Sequence, residues 1–166
     1  MDIKPALKRQ YHASLGMIKQ AVERCPDDLW ARRDDPRDFW RIAYHVIFYT
    51  HLYLFQTNEQ FVPWRLQRDK NEQLWAKPWK PGKGPDPYTK EEILEYWQIC
   101  RDLVDKAIDE MDLDAKDSGF SWYNMPKLEH QMVNLRHMQQ HAGQMAELLM
   151  AEGILTDWFA REKVQM

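Results

Sequence analysis

Residues 39–56 read FWRIAYHVIFYTHLYLFQ, and this stretch decides the fold. With helical spacing, one stripe carries Asp38, Arg41, His45, Phe48, Tyr49 and Leu52. The opposite stripe carries Trp40, Ala43, Tyr44, Ile47, His51 and Leu54. A helix that is apolar on nearly every face is buried on two sides. Asp35 is a good N-cap with Pro36 at the first helical position, so the pattern predicts a helix over residues 35–57.

Three further helices surround it. Leu7, Tyr11, Leu15, Ile18 and Val22 form a stripe in residues 3–24, and Pro26 ends that segment. Thr89-Lys90-Glu91-Glu92 is a capping box that opens a third helix, with Ile93, Trp97, Cys100, Val104, Ala107 and Met111 inward. The fourth runs over residues 124–153, with Pro126 in its first turn and Gly153 as its C-cap. No strand-like alternation persists, so the chain reads as all-α.

The 166 residues carry a net charge of −3, and 30% of them are charged. That length is one domain, residues 1–166. A mildly acidic chain lacks the basic face of a nucleic-acid binder. No run approaches the ~18 apolar residues of a membrane span, and MDIKPALKRQ has no signal-peptide core. Two cysteines, Cys25 and Cys100, make no Cys-x-x-Cys and no disulfide scaffold. The expected location is the cytoplasm.

Connection lengths give the topology. About ten residues join the first and second helices, which predicts antiparallel neighbours. Residues 58–88 join the second and third, longer than an ordinary loop. A strap of that length can return along the bundle and start the third helix beside the start of the second. The result is a four-helix bundle, up-down-down-up, with one long crossover. Trp64, Trp75 and Trp79 would fasten the strap to the helices.

The histidines supply the chemistry. His137 and His141 are one turn apart on one face, suited to a shared metal ion. Six histidines yield roughly 0.2 such pairs by chance, so the pair needs a third partner. His45 lies inward on the second helix. With the second and fourth helices antiparallel, it falls at the same depth as the pair. Three neutral imidazoles with positions left for water or substrate form an open, catalytic-type site. No Glu follows His137 as in the metalloprotease motif, and no Glu-x-x-His occurs, so a mononuclear site fits best.

Around it, Arg41 and Asp38 sit one and two turns above His45, either as pocket groups or as a rim salt bridge. Cys100 points inward at similar depth, although a free cysteine ordinarily packs as a small hydrophobe. Trp30, Trp79, Tyr88 and Trp158 are candidates to line the mouth at that top end.

A bundle of this topology, with one His on its second helix and His-x-x-x-His on its fourth, resembles the DinB-like (YfiT-like) metalloprotein superfamily. FWRIAYHVIFYTHLYL and LRHMQQHAGQMAELL carry the resemblance. It implies His45, His137 and His141 as ligands of one divalent metal per chain, zinc or nickel, and a homodimer. Family members of known chemistry are largely thiol-dependent transferases or isomerases, which implies a low-molecular-weight thiol as co-substrate and a small electrophile. Three readings stay open: a metal-dependent thiol transferase or hydrolase, a non-catalytic metal or small-molecule-binding homodimer, and a structural bundle. The second apolar faces, Trp40, Tyr44, Ile47 and Leu54 on the second helix and Leu128, Leu135, Ala142 and Leu149 on the fourth, are expected to meet across a two-fold axis.

Overall fold

A computed structural model describes residues 2–32, 38–74 and 86–161. Its elements are α1 (Lys4–Arg24), the one-turn helix α2 (Asp27–Trp30), α3 (Phe39–Tyr53), α4 (Lys90–Glu110) and α5 (Lys127–Ala151), with a 3-10 turn at Asn58–Gln60. None of the described helices is long and apolar enough to cross a membrane. Local signals act as their chemistry requires. Thr89 Oγ1 accepts from the Glu92 amide at 3.2 Å and the Glu92 carboxylate accepts from the Thr89 amide at 2.8 Å, closing the capping box. Gly153 adopts φ +76° at the end of α5, with Gly153 and Ile154 amides on the carbonyls of Met150 and Leu149. That is a Schellman cap, which favours glycine at this position.

Side-chain pairs fix the helix directions. His12 meets Asp105 while the Trp97 indole donates to the carbonyl of Leu15, so α1 and α4 are antiparallel. Tyr11 meets Gln131 and Asn134 while Ser14 meets Gln139, so α1 and α5 are parallel. His45 meets His137 while Gln131 donates to the Tyr53 carbonyl, so α3 and α5 are antiparallel. It follows that α3 and α4 are parallel, and the bundle is up-down-down-up with the long crossover between them.

Several expectations need correction. The helix carrying His45 starts at Phe39 with Asp38 at the N-cap and ends at Tyr53, shorter than 35–57. Asp35, Pro36, Trp75 and Trp79 lie outside the described residues. The α1–α3 pair is diagonal rather than adjacent, because α3 packs between α4 and α5. The intervening α2 buries Trp30, which donates to the Tyr88 carbonyl at 2.7 Å and packs on Phe39.

The second face of α3 is also covered within the chain itself. Trp40, Tyr44, Ile47 and Leu54 are buried within the single chain. Trp64 from the crossover stacks on Tyr96 of α4 with ring centroids 4.5 Å apart, and Tyr88 stacks on Tyr44 at 4.7 Å. His51 is turned into this core as well, with Nδ1 3.1 Å from the Tyr96 hydroxyl. The strap, folded over α3, accounts for a helix that is apolar all round. On α5, Ala142 and Leu149 are likewise buried, and Leu128 and Leu135 are half-buried.

Candidate metal centre

α3 presents His45 and α5 presents His137 and His141 at one level of the bundle. One ligand atom from each lies within 4.8 Å of the others. Ring centroids are 4.5–5.0 Å apart: His137–His141 at 4.5 Å, His45–His141 at 4.6 Å and His45–His137 at 5.0 Å. The level is held from below by a buried polar chain. Tyr11 donates to Gln131 at 2.7 Å, Asn134 donates to Tyr11 at 3.0 Å and Gln131 donates to the Tyr53 carbonyl at 3.0 Å. These bonds tie α1, α5 and α3 in register about two turns from the histidines.

The outer nitrogens of two imidazoles are fixed. The backbone carbonyl of Glu72, in the crossover, can only accept, so His45 carries its proton on Nδ1 and offers the Nε2 lone pair. Gln144 Oε1 does the same for His141 Nδ1 at 3.0 Å. Such an outer bond sets tautomer and ring orientation in histidine metal sites. His45 Nε2 and His137 Nε2 stand 2.9 Å apart, and His137 Nδ1 is buried without a hydrogen-bond partner. Facing nitrogen lone pairs repel unless a proton or a cation lies between them. The donor set therefore fits a cation.

Burial also keeps the imidazoles uncharged. It pulls His45 down to about 3, against the Glu72 carbonyl bond, with His141 and His137 adding to the fall. It pulls His137 down to about 4 and lowers His141 too. Neutral imidazole is the form that ligates metal. Among the described residues no Cys, Asp or Glu joins the cluster, so these residues offer three candidate ligands and would leave coordination positions of a bound ion open.

Those positions face a cavity of about 960 Å³, which His45, His137 and His141 line. Its wall continues along the lower half of the His45 stripe, with Phe48, Tyr49, Leu52 and Tyr53, and is completed by the crossover and by Trp122 and Tyr123 from the α4–α5 loop. At the upper end, where the mouth was expected, the stripe is bonded to the crossover. The Arg41 guanidinium, itself buried, donates to the Gln73 carbonyl one residue from the carbonyl that holds His45.

None of the described pocket candidates lines the cavity. Asp38 and Arg41 lie above it, and Asp38 accepts from the Trp40 indole. Trp30 and Tyr88 border a smaller hollow elsewhere. Trp158 is exposed, and Trp79 lies outside the described residues. Cys100 is buried in the packing, where burial pushes its thiol well up, so it supplies no thiolate. Reading along the His45 stripe toward the helix C-terminus instead of its N-terminus would have found Phe48, Tyr49 and Leu52. Trp122 and Tyr123, on a loop, left no periodic signal.

The DinB superfamily model matches residues 10–145 of the chain, a span that contains all three histidines. The chain belongs to the DinB superfamily, and its histidine triad is of the kind that can hold a metal ion. No curated protein and no solved structure matches it.

Proposed function

We propose that the chain is a mononuclear divalent-metal protein, zinc or nickel, in which His45, His137 and His141 hold the ion and the cavity receives a small electrophile and a low-molecular-weight thiol. The observation that carries this reading is the convergence of three neutral imidazoles, with no fourth protein ligand among the described residues, on the wall of a cavity of about 960 Å³. A bound divalent metal lowers the pKa of a thiol or water ligand and so supplies a nucleophile at neutral pH.

The chain's own residues do the rest. The Glu72 carbonyl and Gln144 hold two imidazoles in the ligating tautomer. Tyr49, whose ring centroid is 4.8 Å from that of His45, walls the cavity next to the triad, and burial keeps its phenol protonated. In the transfer itself a sulfur–carbon bond forms as the bond from carbon to the leaving group breaks. The thiol proton passes to solvent or to the leaving group. Superfamily membership favours thiol over water as the nucleophile.

The test begins with metal content. Purified protein should carry about one divalent ion per chain, and His137→Ala/His141→Ala should carry none. Metal-loaded protein should then accelerate thioether formation from mercaptoethanol and dinitrochlorobenzene, followed by absorbance. A double variant that keeps a full metal complement would end the ligand assignment. Metal without rate enhancement would leave a binding protein rather than a transferase.

A further inference from the structure

The cavity walls carry more information than the triad. Rings run outward from the histidines in two files. One passes from Tyr49 to Phe48 at 5.1 Å and on to Phe61 at 5.6 Å. The other passes from Tyr49 to Tyr53 at 5.6 Å and on to Tyr123 at 5.8 Å. Trp122 stands at the rim, 52% exposed, with its indole N–H 3.4 Å from the Tyr53 hydroxyl. All six residues line the same cavity.

The polar part of the lining is equally one-sided. Asn58, Gln67, Gln73 and Gln140 offer neutral donors and acceptors, and Glu72 is acidic. No Lys or Arg is among the described lining residues. A carboxylate or phosphate lying along these rings would lose hydration without gaining a cationic partner from the described lining residues, which disfavours its binding. A flat uncharged ring loses no charged hydration on entry and gains ring–ring contact beyond the area it buries.

We propose that the cavity selects a flat aromatic or heteroaromatic ligand with no negative charge on its body, laid along the Tyr49–Tyr53–Trp122 wall with its reacting end toward the histidine triad. The aromatic residues then act in specificity, and the neutral amides take up the ligand's uncharged hydrogen-bonding groups. This inference rests on the metal reading above, because the triad end of the ligand is set by that centre.

Two probes share a metal-binding head and differ in body: benzohydroxamate and acetohydroxamate. Their Kd values are measured calorimetrically on protein whose metal content has been determined at about one per chain. The phenyl compound should bind at least tenfold more tightly than the methyl compound. Its para-carboxy analogue should bind at least tenfold more weakly than the parent. Trp122→Ala, at a half-exposed position, should narrow the phenyl preference by about two- to tenfold. It should leave acetohydroxamate binding and metal content unchanged. Equal Kd values for phenyl and methyl probes, undiminished binding of the carboxylate, or a phenyl preference untouched by Trp122→Ala would each overturn the proposal while leaving the metal reading intact. Protein that takes up no metal would instead fail the metal reading.

Discussion

His130 is fully buried, yet neither ring nitrogen has a hydrogen-bond partner among the described residues. Its ring is surrounded by Tyr53 at 4.6 Å, Phe120 at 4.9 Å and Tyr123 at 5.2 Å. Burial, with the Lys127 charge nearby, brings it down to about 4. Its folded value therefore lies below its ordinary value near 6.5. The stability it permits is complete above about pH 6.5. It is lost as pH falls from there toward 4, because the unfolded chain binds a proton that the folded chain refuses. His130→Phe keeps the ring packing and removes the unpaired nitrogens, each the kind of buried polar group that costs about 1–3 kcal/mol. The variant should be more stable than wild type by about 1 kcal/mol at pH 7, and the gap should widen toward pH 4. Urea titrations at three pH values decide this, and a constant or shrinking gap would refute it.

At the scale of elements, the signals that were legible in the sequence are the ones that act locally. The Thr89–Glu92 box needs only residues within one turn, and it forms as read. Its loss should be correspondingly local. Thr89→Ala is expected to cost about 1 kcal/mol without changing metal content, measured by thermal unfolding beside metal analysis. A loss of metal in this variant would show that the start of α4 communicates with the triad. Periodicity likewise gave α1, α4 and α5 nearly to the residue, and it put His45, His137 and His141 on inward faces.

What a stripe does not encode is which neighbour covers it. The short α1–α3 connection suggested adjacency, but Trp30 packs α2 into the bundle and the two helices end up diagonal. The same lack of neighbour information misplaced the pocket. Periodicity put Arg41 and His45 on one face with equal claim, and only the crossover's tertiary path shows that Arg41 is bonded to the Gln73 carbonyl while Phe48, Tyr49 and Leu52, below His45, line the cavity.

For the whole molecule, the crossover is what makes the two-sided α3 consistent with a single folded chain. Of the residues expected to meet a second copy, Trp40 and Tyr44 are already in contact with Tyr88 and Trp64 of their own strap. Tyr44 is enclosed by Tyr88, Trp64 and Tyr96. Ile47 is 0% exposed. Ile47→Glu therefore tests two pictures at once. If this face were an interface between copies, the variant would give a folded chain of half the wild-type mass. With the face inside the bundle, the new carboxylate has to be buried among apolar groups or the core has to open, a change in the class that exceeds about 4 kcal/mol. The expected outcome is loss of the cooperative unfolding transition and of near-ultraviolet circular dichroism, at any protein concentration. Met132→Glu, at a position on α5 that is 50% exposed, is the control and should stay folded. Light scattering on all three proteins completes the comparison, and a well-folded Ile47→Glu monomer arising from a wild-type dimer would restore the interface to α3.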